Sequence, residues 1–559
     1  MHLLKKFKVK KKKIELLSNF NITNLYEFLD QDLNQKNYYL KKPSYGQFFQ
    51  EILKLIKSKT QNDISIVWTQ AEQTFECFKK ILNYEIVSQR VLKKQADQYV
   101  SFLKNLSNKT RHLIIFSWTL PRYERGRFLN DFTNKMGLTH KINFLNNYVS
   151  NSLRKNKNIY FINSDLIIKE NIHDYNPKLW YAAKIPFTQN TFQIASKEIQ
   201  NIINFIEGKS IKLIILDLDN TLWGGILGDI GWQKLKIGGH SITGESFENF
   251  QNKLKALNNL GVQLAICSKN DERTALEAIE KNPNMILKKK NFSSWQINWN
   301  DKAKNIRKII TELNLSAENV LFIDDSVTER DRVKKSIKEI KVPAWPSDPS
   351  QYVKKLFELG CFNYSSISTT EDLNRTKYYK DNFKRNKSKE LLSEENWLKS
   401  LKTHIFFKKI NETNKDRIHQ LLQRTNQMNL STSRLTIKDL DKLQKNKNNY
   451  LYCCSVKDKF GDMGIIGFFY LKIEKEKGYV KDFVLSCRAF GREIENSMIY
   501  RIIQILKTKN IKYLELNYKK TQKNKPCLSF LNNNFKRKKN IFFLHGFKDQ
   551  LMPKTLKID

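Results

Sequence analysis

Short apolar runs recur along the chain and alternate with stretches whose apolar residues return at helical spacing. The clearest runs are residues 213–216, 261–267 and 319–323; none contains a charge, and each is followed by polar residues. Continuous apolar runs of this kind are typical of parallel strands that are buried on both faces. Their alternation with helices predicts an α/β chain built on parallel sheets.

Each of the three runs ends in residues that can carry chemistry. Asp217 and Asp219 follow the first run, Ser268 ends the second, and Asp324 and Asp325 follow the third. Since ligands bind at the carboxyl ends of parallel strands, we expect these side chains to lie together. Buried carboxylates are costly to desolvate unless a cation holds them, and carboxylate oxygens are ligands that Mg²⁺ prefers. The pattern therefore predicts a divalent-cation site.

These segments resemble the four motifs of the haloacid dehalogenase (HAD) superfamily, whose members mostly transfer phosphoryl groups through an aspartyl-phosphate. The motifs occur in the family's order: DLDNT at 217–221, Ser268, Lys302 and the acid pair at 324–325. The resemblance implies that Asp217 attacks phosphorus and that Asp219 acts first as acid, then as base. It also implies that Ser268 and Lys302 stabilise charge on the transferred group, with Lys304 as the alternative lysine.

The same resemblance implies a bound Mg²⁺. Its protein ligands would be Asp217, the main-chain carbonyl of Asp219, and Asp324 or Asp325. The sequence does not decide between Asp324 and Asp325, and the other carboxylate could be a partner for Arg330. The short spacings between the motifs leave no room for a large cap domain. The site therefore suits a substrate that a protein presents, or one that another domain of the chain encloses.

Longer stretches resemble one HAD subfamily, the FkbH-like proteins of type IIIC. The resemblance rests on LDLDNTLWGGILGDIG, AICSKN, NWNDK and FIDDSVTER, and it extends over nearly the whole chain. It implies a three-domain α/β protein with a central Rossmann-like HAD sheet at 206–360. An SGNH-hydrolase-like three-layer α/β domain at 1–205 would precede it. A linker at 361–396 and an α+β domain similar to GNAT-type acetyltransferases at 397–559 would follow.

Characterised FkbH-like proteins take a glyceryl unit from 1,3-bisphosphoglycerate, release phosphate and load the glyceryl unit on an acyl carrier protein as a thioester. The resemblance implies the same Mg²⁺-dependent reaction and the same partner here. One alternative is a HAD phosphatase that acts on a sugar phosphate or other metabolite in surface-polysaccharide or secondary metabolism. Another is a non-catalytic basic scaffold or binding protein. The costly buried acids favour an enzyme over a scaffold.

Cys267 directly precedes Ser268 and is a further catalytic candidate. Given the family resemblance, its thiolate could take the acyl group before passing it to a carrier thiol, if positive charge nearby lowers the thiol pKa. The alternative is a small buried hydrophobe at the end of a strand.

The C-terminal third contains a strand, a loop with Arg488, Gly491 and Arg492, and then a helix from about residue 495. This order resembles the coenzyme A loop of GNAT-type acetyltransferases, where main-chain N–H groups at a helix start hold a pyrophosphate. We expect these three residues to bind coenzyme A or, preferably, the phosphopantetheine arm of a carrier protein.

The N-terminal region contains apolar strands at residues 14–19, 112–118 and 158–163. Ser18 stands where SGNH hydrolases carry their nucleophile, but the Asp-x-x-His partner block is missing, and His173-Asp174 has the reverse order. A serine at this turn also serves as a helix N-cap. We therefore predict a structural or recognition domain without catalysis.

Composition narrows the functional classes. The net charge of +43 accompanies lysine spread along the whole chain, without zinc-ligand spacing or an RNA-binding signature, so no nucleic-acid partner is predicted. A basic surface would instead speed the encounter with an acidic carrier protein. The apolar runs are far shorter than the roughly 20 residues of a membrane span, and the start has no secretory apolar segment. The seven cysteines are scattered, which indicates a cytoplasmic protein rather than a disulfide framework.

Overall fold

The computed structural model describes residues 11–33, 38–58, 60–121, 131–133, 136–156, 158–169, 175–239, 241–362, 378, 381, 385, 388, 393–486, 489–521, 523–547 and 551–559. The chain divides into two compact units, Met1–Ile203 and Asn204–Asp559. Among the described residues, none of the helices combines the length and the apolar composition that a bilayer crossing requires.

The first unit is built on a five-stranded parallel sheet in the order β2-β1-β3-β4-β5. Its strands are β1 (Lys12–Ser18), β2 (Tyr38–Lys41), β3 (Asn62–Trp68), β4 (Thr110–Phe116) and β5 (Ile159–Ile162). Its helices are α1 (Thr23–Leu33), α2 (Phe48–Lys57), α3 (Ala71–Thr74), α4 (Glu76–Leu82), α5 (Gln89–Lys109), α6 (Leu138–Leu153), α7 (Ser164–Lys169), α8 (Pro177–Ala183) and α9 (Gln189–Ile206), whose residues 204–206 already belong to the second unit. The apolar segments of the sequence lie in β1, β4 and β5.

The second unit begins with a four-stranded parallel sheet in the order β8-β7-β6-β9. Its strands are β6 (Leu213–Leu216), β7 (Gln263–Ser268), β8 (Phe292–Ile297) and β9 (Val320–Ile323). The helices around it are α10 (Leu227–Ile230), α11 (Ile242–Asn259), α12 (Glu272–Lys281), α13 (Lys302–Glu312), α14 (Val327–Ser336) and α15 (Tyr352–Glu358).

Strand β6 is apolar throughout because both of its faces are covered. Leu216 packs in one hydrophobic cluster with Phe250 of α11. Ile215 points to the other face and packs with Ile306 of α13. The sheet is therefore the middle of three layers, and only its edges can hold polar side chains.

The C-terminal part of the second unit forms a nine-stranded, mostly antiparallel sheet in the order β16-β17-β15-β14-β13-β12-β10-β18, with β11 paired to β14. The strands are β10 (Thr403–Lys409), β11 (Met428–Asn429), β12 (Asn449–Asp458), β13 (Gly461–Glu474), β14 (Lys477–Leu485), β15 (Tyr513–Asn517), β16 (Lys536–Lys538), β17 (Ile541–His545) and β18 (Leu556–Ile558). The helices are α16 (Glu394–Leu401), α17 (Lys415–Arg424), α18 (Ile437–Gln444), α19 (Ile494–Lys507) and α20 (Lys525–Asn534).

The parallel strands β14 and β15 pair only over their first residues, Lys477–Val480 with Tyr513–Leu516. Beyond that point another segment of the chain lies between the two strands. β11 pairs with the end of β14, and the N–H of Lys519, just after β15, donates to the carbonyl of Leu430 at 3.0 Å. The gap between the two strands is thus bridged by residues 428–430.

Contacts join the C-terminal part to the amino-terminal ends of the four-stranded sheet. Lys523 pairs with Glu318 at 2.6 Å, just before β9, and the Asn426 amide donates to the carbonyl of Gly208 at 3.5 Å. These contacts lie at the opposite end of the sheet from Asp217. At these contacts, the described residues of the C-terminal part lie away from the end of the sheet that carries Asp217, Asp324 and Asp325.

Candidate active site

The carboxyl ends of β6, β7 and β9 bring the predicted polar residues to one edge of the four-stranded sheet. β6 pairs directly with both β7 and β9, so the residues after these strands are neighbours. Carboxylate oxygens of Asp217, Asp324 and Asp325 all lie within 4.8 Å of one another. Asp217 and Asp324 are buried, and Asp325 is partly buried.

Lys302 joins two of these acids. Its Nζ lies 3.1 Å from Asp217 Oδ2 and 2.6 Å from Asp324 Oδ2. Burial alone would lower the pKa of the ammonium group, but the charges of the two carboxylates outweigh burial and raise that pKa. Lys304, the alternative lysine, is exposed to solvent. Both lysines lie in the first turn of α13, and the rotation of this helix directs Lys302 toward the acids and Lys304 toward solvent.

The crowding of the acids raises the pKa of two of their carboxyl groups. Burial and the neighbouring charge of Asp217 raise the pKa of Asp324 to about 6, although Lys302 opposes this shift. Burial and Asp217 also raise the pKa of Asp325. Asp217 Oδ1 is buried and has no hydrogen-bond partner among the described residues. A buried carboxylate oxygen without a donor is costly, so the site has an unmet demand for positive charge.

Asp219 is held by three donors. Its Oδ1 accepts from the indole N–H of Trp223 at 2.8 Å and from the N–H of Leu227 at 3.1 Å. Its Oδ2 accepts from the amide of Asn270 at 3.0 Å, and the same amide donates to Ser268 Oγ at 3.2 Å. Asn270 therefore links Asp219 to the second strand's hydroxyl.

Sequence reasoning did not single out Trp223 and Asn270, although both stand in the stretches that carry the family resemblance. It also placed Arg330 beside a carboxylate, where the structure has a different arrangement. The guanidinium Nη1 of Arg330 donates to the main-chain carbonyls of Asp324 at 2.6 Å and Asp325 at 2.7 Å.

Cys267 lies on the other side of β7 from Ser268. It has no exposed surface and packs in the hydrophobic cluster of Ile215 and Ile306. Its thiol donates weakly to the carbonyl of Lys302 at 3.7 Å. Burial raises the pKa of the thiol well above its ordinary value, and Lys302 only partly opposes this. These surroundings disfavour the thiolate that acyl transfer would need.

The loop between β14 and α19 differs from the expected phosphate cradle. Arg488 lies outside the described residues. Gly491 adopts a φ of 69°, and its N–H donates to the carboxylate of Glu495 at 3.0 Å. Arg492 is 4 % exposed and turns inward, 3.9 Å from Asp458 Oδ2, and burial lowers its pKa to about 10.

A pyrophosphate does not fit Gly491 and Arg492 as they stand. The carboxylate of Glu495 already occupies the N–H of Gly491 and would repel an anion. The guanidinium of Arg492 points into the domain, where it lies 3.9 Å from an Asp458 carboxylate that Arg385 also holds. Coenzyme A or a phosphopantetheine arm would therefore find neither a free amide nor a free charge at these two residues.

Ser18 ends β1 and is 6 % exposed. Its hydroxyl oxygen accepts the N–H of Phe20 at 3.1 Å, which is the geometry of a serine that stabilises a turn. His173 and Asp174 lie outside the described residues.

No protein-family model matches the chain, and no curated protein does either. Among solved structures, the chain is similar to a PaiA N-acetyltransferase from Thermoplasma acidophilum in complex with coenzyme A. The identity is 16 %, the match covers 26 % of this chain and 99 % of the other, and the TM-score is 0.20.

A nearer likeness is the N-terminal part of the protein BF1531 from Bacteroides fragilis, a crystal structure that contains a phosphatase domain complexed with Mg. The identity is 28 %, the match covers 64 % of this chain and 96 % of the other, and the TM-score is 0.58. The predicted α/β class, with a Rossmann-like HAD sheet in a multidomain chain, is confirmed. Over the matched region the chain has the fold of a HAD-like domain and is similar to a solved phosphatase domain, and its place in the FkbH-like subfamily stays a prediction.

Proposed function

We propose that the edge around Asp217 is the active site of a Mg²⁺-dependent enzyme that transfers phosphoryl groups through an aspartyl-phosphate. The observation that carries the proposal is Asp217 itself. One of its carboxylate oxygens is buried without a donor, and the other is held by Lys302 beside two further acids. A structural ion pair would have no need of three carboxylates within such a small volume.

The residues present fit a magnesium ion. Mg²⁺ takes oxygen ligands in a compact octahedral arrangement, and Asp217, Asp324 and Asp325 offer three such oxygens. The main-chain carbonyl of Asp219 is our fourth candidate ligand. The similar phosphatase domain of BF1531 is described as complexed with Mg, which supports this choice. The ion supplies charge neutralisation for the phosphoryl group and for the clustered acids.

Each of the other side chains at the site has its own role in the proposed reaction. Asp217 attacks phosphorus, and Asp219 gives a proton to the leaving oxygen and later takes one from the attacking water. Ser268 and Lys302 bind the oxygens of the phosphoryl group, where negative charge accumulates. Trp223 and Asn270 orient the Asp219 carboxylate through the hydrogen bonds described above.

The connection between β6 and β7 limits the class of substrate that the site can take. Between β6 and β7, the described residues form α11 and short helical segments only, so no cap domain rises from this connection. We further propose that the substrate is an acyl phosphate such as 1,3-bisphosphoglycerate, that Asp217 takes the phosphoryl group of its phosphate monoester, and that its glyceryl unit is loaded on an acyl carrier protein. Because the Cys267 thiol is buried, we propose that the carrier thiol attacks the acyl carbon directly, so that the thioester forms as the acyl-phosphate C–O bond breaks and phosphate leaves with the thiol proton.

We also propose that the regions on either side of the HAD domain have no catalytic role. Ser18 is engaged in a turn, the N–H of Gly491 already donates to Glu495, and the guanidinium of Arg492 points into the domain. Their functions would be recognition and support.

The experiment that tests the proposal is a comparison of two aspartate variants in a phosphate-release assay with Mg²⁺. Asp217→Asn removes the nucleophile, and we expect a loss of several powers of ten in rate with the fold intact. Asp331→Asn changes an exposed aspartate on α14 and should leave the rate unchanged. An Asp217→Asn rate within about tenfold of wild type contradicts the assignment, because loss of a nucleophile costs far more. Mass spectrometry of an acyl carrier protein incubated with the enzyme and 1,3-bisphosphoglycerate tests the acyl transfer.

A further inference from the structure

Arg330 stands beside the acid cluster, and its guanidinium contacts main-chain atoms of the two acids rather than their carboxylates. It lies in the first turn of α14 and is 8 % exposed, so the guanidinium is inside the protein. One nitrogen, Nη1, donates to two consecutive main-chain carbonyls, those of Asp324 and Asp325. Burying a guanidinium is costly, so a buried arginine whose hydrogen bonds to the described residues go to main-chain carbonyls requires an explanation.

The turn that carries the two acids is held from other directions as well. The N–H of Asp325 donates to Thr221 Oγ1 at 3.2 Å, and the N–H of Ser326 donates to Asp324 Oδ1 at 2.9 Å. Arg330 completes this set by fixing the carbonyl side of both peptides. The backbone from 324 to 326 therefore has little freedom to move, and the two carboxylates start from fixed positions.

We propose that Arg330 is a positioning residue that makes the site selective for a small cation, Mg²⁺ over Ca²⁺; this inference rests on the proposed function. Mg²⁺ demands near-ideal octahedral geometry at about 2.0–2.1 Å, whereas Ca²⁺ accepts irregular sets of oxygens at about 2.3–2.6 Å. A turn clamped by a planar guanidinium holds its carboxylates for the smaller ion. A looser turn would let the acids move apart and would admit the larger ion with little loss.

Arg330→Lys is the sharpest variant, since it keeps the positive charge but replaces the rigid planar group that holds Nη1 between the two carbonyls with a flexible stem. Lys334→Gln is the matched control, because it removes an exposed charge one turn further along the same helix. The full chain, each variant and the wild type are titrated with Mg²⁺ and with Ca²⁺ by calorimetry, and circular dichroism checks the fold.

We expect Arg330→Lys to weaken Mg²⁺ binding about 10–100-fold, the usual effect of losing a residue that orients metal ligands. Binding of Ca²⁺ should fall by no more than about threefold, because its coordination tolerates a looser turn. Lys334→Gln should change neither. Phosphate release by Arg330→Lys should recover at high Mg²⁺ concentration.

Equal weakening of Mg²⁺ and Ca²⁺ binding, or Mg²⁺ binding at the wild-type level, overturns the proposal. If Arg330→Lys does not fold, Arg330→Gln replaces it, since glutamine keeps a planar donor group without the charge. If neither variant folds, Arg330 serves the fold as a whole and the specific role is overturned. A wild-type chain that binds no Mg²⁺ and releases no phosphate instead contradicts the proposed function itself.

Discussion

Two regions of the second unit carry motifs that suggest a bound phosphate, yet their polar groups are in opposite states. At the carboxyl edge of the four-stranded sheet, three carboxylates crowd together, and Asp217 Oδ1 has no donor among the described residues. In the loop before α19, Gly491 already donates to Glu495, and Arg492 faces Asp458. In the first region a buried carboxylate oxygen lacks a donor among the described residues, whereas in the second Gly491 and Arg492 already have partners.

The difference teaches what a motif can and cannot establish. Both motifs stand between a strand and a helix, as phosphate sites do. Only unmet hydrogen bonds and uncompensated charge separate a site from a turn that merely has the same sequence order. Substitutions in the two regions should therefore fail in different ways: loss of activity in the first, loss of stability alone in the second.

The largest difference is expected from the lysine at the acid cluster. Lys302→Met removes the cation that faces Asp217 and Asp324, so phosphate release should fall about 10²–10³-fold, as for loss of one donor to a developing negative charge. Leaving buried acids without their partner should also cost about 3–5 kcal/mol in the free energy of unfolding. Steady-state rates and urea unfolding measure both effects.

Lys304→Met is the control for that variant. Lys304 is exposed on the same helix, so its loss should leave the rate unchanged and the stability within about 0.5 kcal/mol. If Lys304→Met were the inactive variant instead, the assignment of the lysine would be wrong.

A smaller effect, on stability only, is expected in the second region. Arg492→Gln breaks the contact with buried Asp458 and should reduce the free energy of unfolding by about 1–3 kcal/mol. Phosphate release should stay at the wild-type rate, and calorimetry should detect no coenzyme A binding by the wild type. Coenzyme A binding that Arg492→Gln abolishes would restore the phosphate-cradle interpretation.

The smallest effect is expected at Cys267. Cys267→Ala removes a buried thiol without leaving a large cavity, so the loss of stability should be about 1–2 kcal/mol at most. Phosphate release and loading of the carrier protein should continue at the wild-type rate. A variant that releases phosphate but cannot load the carrier would instead make Cys267 the acyl acceptor.

Much of the acid-bearing edge follows from the sequence because local pattern and fold physics agree there. The apolar runs before Asp217, Ser268 and Asp324 predict buried parallel strands, and parallel strands align their carboxyl ends. The face of the sheet on which Cys267 lies could also be predicted from the sequence. Alternation along a strand places Cys267 and Ser268 on opposite faces, so the thiol had to point away from the hydroxyl.

Other features depend on contacts between distant parts of the chain and carry no local signal. Arg492 turns inward because Asp458, on another strand, is buried beside it. Residues 428–430 bridge β14 and β15 because those strands diverge, which neither strand's own pattern reveals. The choice between Lys302 and Lys304 depends on how α13 is rotated against the sheet. The spacing of the residues alone is compatible with either lysine.

The central claim, phosphoryl transfer to Asp217, has one direct measurement. In Asp219→Asn the residue that activates water is lost, so a phosphoryl group taken from p-nitrophenyl phosphate, whose leaving group needs no proton, should remain on the enzyme. Tandem mass spectrometry of the digested variant should find one added phosphoryl group on Asp217 and none in Asp217→Asn. Continued phosphate release without this adduct, or a phosphoryl group on another residue, would contradict the account.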